Sequence, residues 1–174
     1  GGGVASTQSH VSAYHATVAF NSAGDSGGGI SASTYAYAGT GESQLVSTIV
    51  SDNNAASGAD IAPNPWVGGT LTATGDHNLV GPVGTDVVLP GDTIGGPAAL
   101  LPLAMNGGPT ATHALAPCSA AIDAGSNPDT LEWDQRGDPF VRESGAGPDI
   151  GSFELQPNAD VIFADGFEAS PCGL

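Results

Sequence analysis

The stretch Ala16–Ile30, ATVAFNSAGDSGGGI, superposes on Ser47–Ile61, STIVSDNNAASGADI, without a gap, with Thr17 on Thr48, Val18 on Ile49 and Ile30 on Ile61. In each copy a β-prone run passes through Asn or Ser/Ala into a Gly-rich turn and then a further small strand. Gly1–Val4 resembles Gly27–Ile30, so Val4, Ile30 and Ile61 stand 26 and 31 residues apart, and Leu71–Val80 reads as a fourth segment. A period of that size suits one circuit of several short strands. Stacked circuits then bury side chains that no single circuit could bury.

Helix competes poorly with this reading. Glycine costs about 1 kcal/mol per residue in a helix interior, and the apolar residues keep no sustained helical period. A β-sandwich would place strands every ~8–12 residues without the longer repeat seen here. The expectation is an all-β parallel β-helix, a solenoid. Its coils run over residues 1–96, followed by a loop-rich cap over 97–154 and a tail over 155–174.

Composition narrows the function. The chain has 174 residues, room for one core, and its 27 Gly and 13 Pro favour short strands and tight turns. A hydrophobic fraction of 40% is too high for a disordered acidic tail. There is no lysine, the only cations of fixed charge are Arg136 and Arg142, and the net charge is −16. A nucleic-acid backbone or an anionic membrane would be repelled, so nucleic acid is excluded as a partner. No stretch of some 18 apolar residues is present, so membrane insertion is not expected. The chain opens Gly1-Gly2-Gly3-Val4 without methionine, which suggests a piece of a longer protein, with further coils upstream as its first partner and an open N-terminal coil able to self-associate.

Cys118 and Cys172 are the only cysteines, and neither has the spacing of a zinc or redox site. A disulfide between them is the preferred reading, against two unrelated free thiols. It would stabilise by roughly 4 kcal/mol and needs an oxidising compartment.

From residue 97 the repeat gives way to three motifs in order: NGGPTATHALAPCSAAIDAG over 106–125, WDQRGDPFVR over 133–142 and GPDIGSFE over 147–154. This series resembles the C-terminal signature of the bacterial choice-of-anchor Q domain proteins, and GDHNLVG over 75–81 resembles the family's last coils. The resemblance implies a right-handed parallel β-helix on secreted or surface-attached proteins, and no known reaction. The chain departs from the family pattern at Cys118, where a small residue is more typical, which favours the disulfide to Cys172. The tail over 158–174, NADVIFADGFEASPCGL, resembles short tails on some Gram-negative exported proteins and has no hydrophobic anchor.

The cap residues read as structural. Asp123, Asp134, Asp149 and Glu154 surround the two cations in sequence, so Arg136 is expected to tie cap loops together through a bidentate carboxylate pair, and the cap to cover the raw β-edges at the solenoid's end. Asn21, Asn53 or Asn54, and Asn78 suit an internal asparagine stack, or simple turn propensity.

Catalytic readings are weaker. GDSGGG over 24–29 mimics the nucleophile loop of trypsin-like proteases, with Ser26 at the serine position, but too little chain precedes it to hold the partner His and Asp, and the segment belongs to the repeat. Polysaccharide lyase chemistry wants cations that this chain lacks. Glycoside hydrolysis needs two facing carboxylates, for which Asp52, Asp60 and Asp76 are candidates, though such residues are commoner as turn formers. His10, His15, His77 and His113 show no metal-binding spacing. No cofactor is expected; calcium is the metal the carboxylates and loop carbonyls could take. The resulting expectation is a non-catalytic extracellular structural or adhesive module on the outer surface of a Gram-negative bacterium, meeting a surface glycan or protein receptor. A carbohydrate-active β-helix is the alternative, and a cleft lined by two carboxylates and aromatic platforms would mark it.

Overall fold

The computed structural model describes residues 2–7, 9–33, 41–64 and 69–156. Eleven short strands and no helix occur among them: β1 (Val4–Thr7), β2 (Val11–Tyr14), β3 (Thr17–Ala19), β4 (Ile30–Ser33), β5 (Gly41–Val46), β6 (Ile49–Ser51), β7 (Ile61–Pro63), β8 (Leu71–Thr74), β9 (Leu79–Val80), β10 (Val87–Val88) and β11 (Ile94–Gly95). They form three sheets ordered β1-β4-β7, β10-β8-β5-β2 and β11-β9-β6-β3, with every strand pair parallel. From β1 to β9 the chain visits the three sheets in turn, each strand pairing with the one three places on. This all-parallel, three-sheet arrangement is compatible with a β-helix.

The pleat sorts the side chains. Ile30, Ala32, Leu45, Val50, Ile61, Leu71, Ala73 and Val80 share one apolar core with Val11. On the β2-β5-β8 sheet the opposite face carries Ser12, Gln44 and Thr74 in register, all exposed. Small polar side chains suffice there because only one face is buried.

The repeat pairs as expected at Val4↔Ile30 and Ile30↔Ile61. Earlier in the copy the register differs by one residue: Thr17 pairs with Ile49 and Val18 with Val50, not Thr17 with Thr48. A one-residue shift turns every side chain to the other face. Here Val50 enters the first core while Ile49, fully buried, enters a second one with Leu79, Ala98, Leu100, Leu115, Ile150 and Phe153. The ungapped match failed because both faces of this sheet are buried, so the apolar pattern carries no alternation to set the phase.

The corners recur as well. His15, Ser47 and His77 have φ of 47°, 48° and 50°, and Phe20 and Asp52 have 58° and 61°. Left-handed geometry at a residue with a Cβ costs roughly 1–2 kcal/mol, and buried polar ladders beside each corner hold it. Thr48 donates its N–H to Asn78 Oδ1 at 3.0 Å, and Asn78 Nδ2 donates to the Leu45 carbonyl at 2.8 Å. At the other corner Asn21 Nδ2 donates to Asn53 Oδ1 at 3.0 Å, and Asn53 Nδ2 donates to Asp60 Oδ1 at 2.7 Å. The expected asparagine stack is therefore two ladders on two corners, with Asn78 in one and Asn21 and Asn53 in the other.

Residues 97–156 contain no regular strand, only antiparallel bridges such as Leu100↔Leu115, Ala104↔Thr112 and Trp133↔Val141. This segment lies along the outer face of the β3-β6-β9-β11 sheet, where the second core forms. Two strand hydroxyls and one corner hydroxyl fasten it: Thr17 Oγ1 accepts from Ser152 N–H at 3.1 Å, Ser51 Oγ from Ala98 N–H at 3.0 Å and, at the corner, Ser47 Oγ from Ser126 N–H at 3.2 Å. Thr17 belongs to β3, at the opposite edge of that sheet from β11, so the cover runs the whole width of the sheet instead of sitting over one end.

Candidate functional site

The loop Trp133–Arg142 closes on itself through the Trp133↔Val141 bridge. Its alternating residues separate: Gln135 is exposed, whereas Asp134 and Arg136 are buried. Arg136 Nε and Nη2 donate to Asp134 Oδ2 at 3.0 and 2.8 Å, and neither side chain is exposed at all. The guanidinium lies between the rings of Phe140 and Phe153, 3.9 Å from each centroid. Its Nη2 also donates to the Glu154 carbonyl and its Nη1 to the Asn106 carbonyl. The glycine of the NGGP motif has its reason here, since a Cβ on Gly108 would stand 2.6 Å from Arg136 Cα. Arg136 thus pairs with a carboxylate of its own loop, and it reaches other segments through the Glu154 and Asn106 carbonyls instead of through a carboxylate.

Asp149 and Glu154 order the segment that follows, mainly by accepting backbone N–H groups. Glu154 Oε1 accepts from Ser144 at 2.8 Å and Oε2 from Asp149 at 2.7 Å, while Asp149 accepts from Asp123 at 2.8 Å and Leu155 at 2.7 Å. Asp123 Oδ1 accepts from Ala146 at 2.8 Å and Gly147 at 3.2 Å, closing a neighbouring turn. Burial pushes the Glu154 carboxyl up to about 8 and raises Asp149 as well. The four acids foreseen from the sequence therefore meet in one region as loop organisers. Cys118 is disulfide-bonded, and Cys172 lies outside the described residues.

Arg142, which sequence reasoning left without a role, is buried among them at 1% exposure. Its Nη2 donates to the Asp149 carbonyl and stands 3.9 Å from Glu154 Oε2. Its Nε and Nη1 are buried without a hydrogen-bond partner, and burial lowers its pKa. The residue lines a pocket of about 390 Å³ with Tyr14, His15, Ala16, Thr17, Leu131, Trp133, Asp134, Gln135 and Ser152. His15 is 8% exposed and neither ring nitrogen has a partner. Burial first, and the charge of Arg142 second, push its pKa down, so it is neutral near pH 7. The pocket joins the β2–β3 corner to the Trp133–Arg142 loop. Its sequence signal was slight: one of two cations in an acidic chain.

A second pocket, of about 220 Å³, is lined by Asp25, Ser26, Ser57, Ala62, Pro63, Thr85 and Asp86. Ser26 of the protease-like string sits here in a parallel bridge with Ser57, as a turn residue of the repeat. Of the hydrolase candidates, Asp52 lies near Asp60, but no open pair of carboxylates results because Asp60 is sealed inside. Asp60 is fully buried on Asn53, Asp52 is exposed and accepts from Ser51 Oγ, and Asp76 is exposed beside His77 and Ser126. His10 lies 3.7 Å from Glu42, and His113 bonds the Leu101 carbonyl and stacks on Phe20. Among the described residues no group of three or more His, Cys, Asp or Glu is placed to hold a metal, and no helix is long and apolar enough to cross a membrane. Comparison of the chain with protein-family models, curated proteins and solved structures gives no match.

Proposed function

We propose that the chain is part of a right-handed parallel β-helix related to the choice-of-anchor Q domain proteins, and that it serves outside the cell as a non-catalytic structural or adhesive module. The observation that carries this reading is the in-register stacking of parallel strands in three sheets, with a polar ladder inside two of the corners. Such stacking makes a stiff body whose surface can be read by a receptor or glycan. The disulfide at Cys118 suits an oxidising compartment.

The two pockets also favour it over the carbohydrate-active alternative. The pocket with two carboxylates, Asp25 and Asp86, has no aromatic wall among its lining residues, and the one with Trp133 and Tyr14 has a single carboxylate, Asp134, already committed to Arg136. The test is to incubate the purified chain with neutral and acidic polysaccharides and follow new reducing ends and unsaturated products. No product release is expected. Turnover that disappears in Asp25→Asn or Asp86→Asn would replace this reading with the enzymatic one.

A further inference from the structure

The pocket between the β2–β3 corner and the Trp133–Arg142 loop has a sealed floor and reachable walls. Both His15 ring nitrogens and Arg142 Nε and Nη1 are closed off from solvent, so these residues shape the pocket without offering bonds to an incoming molecule. The walls differ: Tyr14 is 42% and Leu131 44% exposed, Gln135 is exposed and Trp133 half-buried. The two aromatic residues stand on fixed backbone. Tyr14 ends β2 in register with Val46 of β5, and Trp133 is bridged to Val141 beside the Asp134–Arg136 pair. A wall held in place before binding spares part of the ordering cost. Its spare polar capacity belongs to uncharged groups. Among the described residues nothing bonds the Trp133 indole N–H or the Tyr14 hydroxyl. Gln135 Nε2 donates to Thr110 Oγ1 at 3.1 Å, which leaves that side chain a second N–H and its carbonyl oxygen.

We infer that this pocket binds a neutral sugar of a surface glycan, with the face of the sugar ring against Trp133 and Tyr14 and its hydroxyls on Gln135, the indole N–H and the Tyr14 hydroxyl. The ring follows from the walls. A sugar ring has a face of C–H groups and a rim of hydroxyls that both donate and accept, and here aromatic faces stand beside amide and hydroxyl groups that do the same. Neutrality follows from the charges. Asp129 and Glu143, both exposed, act on His15 and Arg142 from nearby, and the whole chain carries −16, which disfavours an acidic sugar. The Arg142 guanidinium beneath the walls disfavours an organic cation. The volume of about 390 Å³ is in the ordinary range of small-ligand sites. This site deepens the non-catalytic adhesive reading and rests on it, because the sugar is held and not cleaved: Asp134, the one carboxylate in the lining, is bonded to Arg136 and has no second acid facing it across the pocket.

The test is an amide and indole proton–nitrogen titration of the whole chain with neutral tetrasaccharides of glucose, mannose and galactose, using tetragalacturonate and choline as charged controls. Saturable shifts of the Trp133 indole N–H are expected with at least one neutral sugar, at a Kd of about 1 mM or tighter, and both charged probes should bind at least about tenfold more weakly. Trp133→Ala, followed on the backbone amides, should abolish binding. Tyr14→Ala and Gln135→Ala alter exposed side chains and should each weaken it at least about threefold, which keeps the test valid if Trp133→Ala fails to fold. The inference is overturned if no neutral sugar gives a saturable shift, if a charged probe binds as tightly, or if Tyr14→Ala and Gln135→Ala both bind as the parent does. A sugar that binds but is recovered in shorter pieces would sink the non-catalytic reading and leave the site standing. No binding would remove the site and leave the module reading to its polysaccharide test.

Discussion

Replacing Arg136 with methionine tests the central tie of the cap. The exchange keeps an unbranched chain between Phe140 and Phe153 but removes the cation bonded to Asp134, whose side chain is fully buried. Removing one partner of a buried pair costs ~3–5 kcal/mol, because the other charge stays behind unpaired. Asp134 retains the Arg136 and Glu154 backbone N–H groups at 2.7 and 2.9 Å, which favours the lower half of that range. Loss of two desolvated ring contacts adds ~1–2 kcal/mol, offset in part by sulfur–aromatic contact. We expect a net loss of about 4 kcal/mol, or about 8–16 °C in Tm at ~2–4 °C per kcal/mol for a chain of this size. Thermal and urea unfolding followed by circular dichroism and tryptophan fluorescence measure it, with Arg136→Lys expected to fall between parent and Arg136→Met because it keeps charge but not the planar fork. A Tm for Arg136→Met within about 2 °C of the parent would refute the argument that this pair holds the cap.

Three further outcomes follow from the same geometry. Glu154 is raised by burial to about 8, so between its unfolded value near 4.5 and that pH the native state binds more protons than the unfolded one; stability should fall as pH rises across that window, and Glu154→Gln should flatten the denaturant midpoint against pH. Gly81→Ala should destabilise by roughly 1–3 kcal/mol, because its Cβ would stand 2.0 Å from Asp60 Oδ2 beneath the Asn53 ladder; an unchanged urea midpoint would mean that Asp60 is not held there. Cys118 should resist alkylation in the folded chain until a reductant is added, and Cys118→Ser should lower Tm; labelling without reductant, read by mass spectrometry, would show that no disulfide forms.

Much of the strand framework could be read from local signals. Val4, Ile30 and Ile61 pair as their spacing in the chain suggests, and Leu71–Val80 supplies β8 and β9. The pairing of Arg136 with a neighbouring acid also followed from scarcity, since an acidic chain with two arginines has no shortage of partners. What escaped were the features set by a second surface. Ile49-Val50 and Leu79-Val80 are adjacent apolar pairs where alternation would mark a one-sided strand, and that continuity was the available sign that the sheet is covered on both faces. The left-handed corners at His15, Ser47, His77 and Phe20 carry no glycine, so turn chemistry did not announce them, in contrast to the corner at Asp52.

The sequence by itself determined the short parallel strands, their approximate period and the loop-rich nature of residues 97–156, because repeat spacing, glycine and proline act locally along the chain. Only the tertiary structure decided that the cap lies across the β3-β6-β9-β11 sheet, that Ile49 and Val50 serve different cores, and that Arg142 and His15 face one pocket from positions 127 residues apart. Burial and unmet hydrogen bonds belong to surfaces that come together when the three sheets and the loops over them pack, and no segment of the chain contains both halves of such a surface.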